Sequence, residues 1–130
     1  MRFDIEDAKY ILNGVASLEN YPRPVFVHGT RVNMSHEQVA KISFDSDSGV
    51  YQCLLLADWN LIKGEELQDG TMFRIDRLTA FGHDVLEKLN DDGIWNKIKN
   101  AAQMVKSVAE FISLIKSLFP DGWVNFLSRG

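Results

Sequence analysis

The 130-residue sequence predicts an α+β fold, mainly α: a winged helix-turn-helix core with a β-hairpin wing and a long C-terminal amphipathic helix. Three observations predict it. Apolar residues recur at helical spacing in several separate segments. Turn chemistry at Gln68-Asp69-Gly70 separates two β-rich limbs. A stripe of apolar residues with heptad spacing then runs from Ile94 to Phe119.

In chain order, Ile5, Ala8, Ile11, Leu12, Val15 and Leu18 give a first helix over residues 4–18. Asp4 is its expected N-cap, and Glu6 and Asp7 lie in the first turn, where the helix dipole favours acids. Asn20-Tyr21-Pro22-Arg23-Pro24 ends it, because two prolines in three residues cannot continue a helix. Val25-Phe26-Val27 is expected as a short edge strand. Ser35, with Gln38 three residues on, has capping-box spacing and predicts a short helix that gives way near Asp45. A third helix runs from Val50 to Trp59. Leu61-Ile62 and Met72-Phe73-Arg74-Ile75 are the limbs of the wing. Thr79 is the expected cap of the next helix, which presents Val85, Leu86 and Leu89 on one face. Asn90-Asp91-Asp92-Gly93 breaks it, and Asp91 or Asp92 can cap the terminal helix. The expected division is a winged-helix-like domain over 1–93 and a helix with a short apolar tail over 94–130.

Composition sets limits. With 45% hydrophobic and 25% charged residues, the chain is neither disordered throughout nor low in complexity. The net charge of −4 is a poor basis for gripping nucleic acid over a broad surface. A single cysteine, Cys53, excludes an intrachain disulfide and a cysteine-based zinc site. Three acids among the first seven residues do not suit a signal peptide, and no apolar run approaches the roughly 20 residues of a membrane span. A cytoplasmic location is the expectation.

The terminal stripe is the strongest periodic signal. Ile94, Ile98, Ala101, Val105, Val108, Ile112, Ile115 and Phe119 step alternately by four and three. Phe111, Leu114 and Leu118 widen it, while Lys99, Gln103, Lys106, Ser107, Glu110, Ser113 and Ser117 occupy the opposite face. Two coverings fit such a helix: its own domain, or a second copy in a coiled-coil-like homodimer. A membrane surface is a poor third, because Lys106, Lys116 and Arg129 supply too little positive charge.

A winged helix suggests DNA, but the expected recognition helix from Val50 to Trp59 contains no arginine or lysine. Gln52 is its one side chain suited to reading bases. The wing adds Arg74 and Arg77, beside Glu65, Glu66, Asp69 and Asp76. Across residues 50–99, nine acids face six bases. Counterion release needs clustered cations, and none are visible.

Tyr51-Gln52, Leu54-Leu55-Leu56, Leu61-Ile62, Leu78-Thr79, Gly82-His83-Asp84, Leu86, Asp91-Asp92 and Ile94-Trp95-Asn96-Lys97 resemble the pattern of a family of uncharacterised bacterial and prophage proteins. Its motif is approximately L-T-x-x-G-H-D-x-L, then D-D-x-I-W-x-K. The resemblance is good over about residues 50–99 and weak elsewhere. It implies a small winged-helix-like fold carried on mobile elements, with no catalytic residue to transfer. Gly93 departs from the pattern, where a long polar residue is commoner.

No constellation supports catalysis. His83-Asp84 and Asp91-Asp92 do not converge on one helical face, and capping or packing explains them better than a metal or acid–base site. His28 and His36 lie in unrelated elements. Cys53 reads as a buried small hydrophobe, and Trp59, Trp95 and Trp123 read first as core residues. The expectation is therefore a non-enzymatic phage or mobile-element protein without cofactor or metal. It would act by docking to a host or phage protein, as an acidic inhibitor of a nucleic-acid-handling or defence complex of the anti-restriction or anti-CRISPR type. Asp45, Asp47, Glu65, Glu66 and Asp69 would supply the acidic interface. The alternative is a dimeric winged-helix transcriptional regulator contacting DNA through Gln52, Arg74 and Arg77.

Overall fold

A computed structural model describes residues 3–18, 24–28, 41–44, 48–67, 70–101 and 105–118. It is an α+β structure with elements in the order α1 (Ile5–Ser17), β1 (Val25–His28), β2 (Lys41–Ser43), α2 (Ser48–Asp58), β3 (Ile62–Leu67), β4 (Met72–Leu78), α3 (Ala80–Leu89), α4 (Asp92–Asn100) and α5 (Val108–Leu118). The sheet order is β2-β1-β4-β3, with β1 and β2 parallel and the other two pairings antiparallel.

Most of these elements follow from local chemistry. The Asp4 carboxylate accepts the N–H groups of Glu6 and Asp7 at 2.9 and 3.0 Å, satisfying two free donors at the start of α1. The stripe Ile5, Ala8, Ile11, Leu12 and Val15 is buried beneath. Thr79 caps α3 by accepting the Gly82 N–H, and Asp91 caps α4 by accepting that of Ile94. The hairpin β3–β4 pairs from Ile62↔Leu78 to Leu67↔Met72, with a bulge between Lys63 and Gly64. Gly70 reaches φ +85° at its turn, a conformation glycine adopts without steric cost.

Three expectations change. The Val25-Phe26-Val27 strand is not an edge: β1 lies between β2 and β4, with Val25 opposite Ile75 and Val27 opposite Phe73. All four of these side chains are buried. Residues 41–43, within the span expected for the second helix, form the strand β2. The Ser35 start of that helix lies outside the described residues.

The third change concerns the long terminal helix. The Ile94-to-Phe119 stripe is not one helix but two, α4 and α5. Ala101 caps the end of α4. Ser107 opens α5, its hydroxyl accepting the Glu110 N–H at 3.1 Å and lying 3.4 Å from the Glu110 carboxylate. This S-x-x-E pairing starts a helix where uninterrupted periodicity would only continue one.

Ile98, Val105, Val108, Phe111, Ile112 and Ile115 enter the same buried cluster as α1, α2, α3 and the sheet. Phe3 meets Phe111 at 5.2 Å between ring centroids, and the Lys9 ammonium sits 4.1 Å above the Trp95 ring. The core therefore runs across the expected 93/94 boundary. Among the described residues, no helix is long and apolar enough to cross a membrane.

Candidate functional site

α2 precedes the hairpin and packs on it. One side of the helix, with Val50, Cys53 and Leu56, is buried. Gln52 is buried with it, at 2% exposure. Its side-chain oxygen accepts the Asp4 N–H at 2.9 Å, tying α2 to the start of α1. Gln52 is thus a structural bridge, correcting its expected place on a nucleic-acid-reading face.

The other side carries Tyr51, Leu54, Leu55 and Asp58, spaced as neighbours along one helical face. Leu54 and Leu55 are half-buried against the core, and Trp59 comes next at 41% exposure. Contrary to its expected place in the core, Trp59 is one of the two exposed large hydrophobic residues among those described; the other is Tyr10. Sequence reasoning missed this apolar face. Its signal was the unbroken run from Cys53 to Ala57, too apolar all round for a helix with only one buried side.

The corner after α2 is firmly held. Thr79 donates its hydroxyl to the Asn60 carbonyl at 2.6 Å while accepting the Gly82 N–H at 2.9 Å. Gly82 approaches the Leu61 carbonyl so closely that an added Cβ would lie 2.0 Å from its oxygen. Asn60 sits at φ 63°, a left-handed conformation in which Asn is among the better-tolerated residues.

On the hairpin, Glu65, Glu66 and Asp76 are exposed. Arg74 lies between two of them, 3.1 Å from Glu65 and 3.0 Å from Asp76. Exposed pairs of this kind contribute only about 0–1 kcal/mol each, so Arg74 is not locked. Any phosphate approaching it would nevertheless meet two carboxylates. Arg77 turns back to the Leu78 carbonyl at 3.2 Å. The expected acidic residues Asp45, Asp47 and Asp69 lie outside the described residues.

Of the expected seam, Ile98, Val105, Val108, Ile112 and Ile115 are buried, and Ile94 packs against them half-buried. Ala101 borders a shallow groove with Val105, Ala109 and Leu114, and Phe119 lies outside the described residues. His83 is exposed on α3 and His28 is buried at the end of β1. His36 and Trp123 fall outside the described residues. Among the described residues, no group of three His, Cys, Asp or Glu side chains is placed to hold a metal ion. Cys53 is fully buried, and burial pushes its thiol far above the usual range, away from the reactive thiolate.

The fold and this face define an α+β domain in which α2, packed beside the hairpin, carries a half-buried apolar side that ends at the exposed Asp58 and Trp59. The chain belongs to the family described as "Hypothetical protein (DUF2513)", whose model matches residues 6–109. No curated protein and no solved structure is significantly similar to it.

Proposed function

We propose that this is a winged-helix variant of phage or mobile-element type that has exchanged nucleic-acid reading for protein docking. Its expected target is a protein that handles nucleic acid or serves host defence. The observation that carries this reading is the outward side of α2: Tyr51, Leu54, Leu55 and Trp59 with Asp58, and no cation on the helix. An exposed aromatic at a rigid corner, here Trp59, is what a protein interface uses, whereas base reading draws on Arg, Lys, Asn and Gln. The three antiparallel strands in spatial order β1-β4-β3, with α2 entering the hairpin, support the winged-helix assignment. A second copy is not required, since most of the residues expected to pair two chains help to fill the core of one.

Photo-crosslinking in the native host tests the proposal. A photoactivatable phenylalanine analogue replaces Tyr51 on α2 or, as a control, Glu87 on the exposed side of α3. A discrete protein adduct from position 51 and none from position 87 is expected. Adducts to nucleic acid from position 51 would install the regulator reading instead, and the same adducts from both positions would remove α2 as the docking face.

A further inference from the structure

We propose that α5 exchanges between two copies of this chain: α4 and α5 straighten into one helix, and each α5 packs into the other copy's core in a domain-swapped homodimer. The inference is independent of the docking reading.

The apolar phase of α4 carries over into α5. Drawn as one straight helix at 3.6 residues per turn, Ile94, Ile98, Ala101, Val105, Val108, Ile112, Ile115 and Phe119 share an arc of about 100°. A chain that only had to end one helix and begin another has no need to keep that phase. The break itself is lightly marked. Neither glycine nor proline occurs between Ile94 and Phe119, and Ala101-Ala102-Gln103-Met104 are good helix formers. α4 ends at Ala101 with φ −97° and ψ 3°, not with the left-handed residue that commonly stops a helix. What separates the helices is the Ser107 cap, whose hydroxyl accepts the Glu110 N–H at 3.1 Å. One exposed cap is a small obstacle to straightening, and helical hydrogen bonds across the break would offset its loss.

Straightening carries α5 off its own domain, and this selects the occupant. Phe111 and Ile115 are fully buried, Val108 and Ile112 nearly so, and Phe3 meets Phe111 at 5.2 Å. The apolar side of α5 and the groove it leaves are both too costly to hold in water. The α5 of a second copy fits that groove side chain for side chain, because it is the same sequence. Two chains then regain every contact of α5 reciprocally, in a closed pair rather than an open filament. Bent and straight forms share one core and differ at one cap, so protein concentration sets the balance between them.

The test holds the full chain near its urea midpoint over a range of concentrations, returns it to buffer, and sizes it by gel filtration with light scattering. A monomer and a dimer are expected, the dimer fraction rising with concentration. In the isolated dimer, hydrogen exchange should protect Lys106 together with Ile98 and Ile112, whereas in the monomer Lys106 should exchange freely. S107A removes the cap and should shift the balance toward dimer about fivefold per protomer, and S107D should return it. K106P should abolish the dimer and leave the monomer, because proline breaks a helix interior while residue 106 lies outside both helices of the bent form. A chain that stays monomeric at every concentration, or a dimer with Lys106 unprotected, would overturn the proposal. If K106P fails to fold, the serine variants decide: equal dimer fractions for S107A and S107D would overturn it as well.

Discussion

Gly82 and Thr79 show how single residues place the corner that α2 presents. In an exposed helix, Gly→Ala is favourable by about 1 kcal/mol. At Gly82 the new Cβ would meet the Leu61 carbonyl oxygen at 2.0 Å, a backbone group with no room to swing aside. Overpacking of this kind costs roughly 1–3 kcal/mol and should outweigh the propensity gain. G82A is therefore expected to lower stability in urea unfolding, against the helix-propensity rule, and an increase would contradict the close approach. Asp7 gives a pH-dependent case. Burial first, and then the neighbouring Asp4 and Glu6 charges, raise its carboxyl above the usual 3.8. An acid with a raised native value holds its proton more readily folded than unfolded, so its ionisation works against folding as pH rises through that value. D7N should raise the melting temperature at neutral pH, and the gain should shrink below the ordinary carboxylate range, where Asp7 is protonated in both states.

Between elements, what the sequence reveals and what it hides divide by mechanism. Caps act within a few residues, so Asp4 and Thr79 could be read directly and bond as expected, while of the two candidates Asp91 and Asp92 it is Asp91 that caps α4. The hairpin was equally readable, because turn chemistry and β-rich limbs are local. Strand β2 was not, since three residues, Lys41-Ile42-Ser43, carry no usable period and gain their conformation by pairing with β1. The terminal stripe showed that Ile98, Val105, Ile112 and Ile115 must be covered, but a period does not say by what. The break comes from Ser107 and Glu110, which periodicity alone assigns to a polar face although they are the start signal of α5. S107A should cost about 0.5–2 kcal/mol, and S107D should restore most of it. Native-state hydrogen exchange should find Lys106 unprotected between protected Ile98 and Ile112. Protection continuous through Lys106 would restore the single long helix.

Across the whole chain, charge is segregated. Residues 45–92, which include α2, the hairpin and α3, carry eleven acids against four bases, whereas residues 93–130 carry five bases against two acids. The helix–hairpin unit therefore lies in the most negative stretch of the sequence. A polyanion would be repelled from this stretch of the chain, while a cationic protein surface would be drawn to it. The overall charge of −4 hints at this weakly, and the distribution states it more strongly. The apolar side of α2 needed the structure, because which half of an all-round apolar helix faces water depends on where the sheet lies. Fluorescence anisotropy of a labelled random-sequence duplex, titrated with micromolar protein at about 50 mM salt, tests this most directly, because weak non-specific DNA binding tightens steeply as salt falls. Flat anisotropy across the titration is the predicted result; a rise that disappears as salt is added would contradict it.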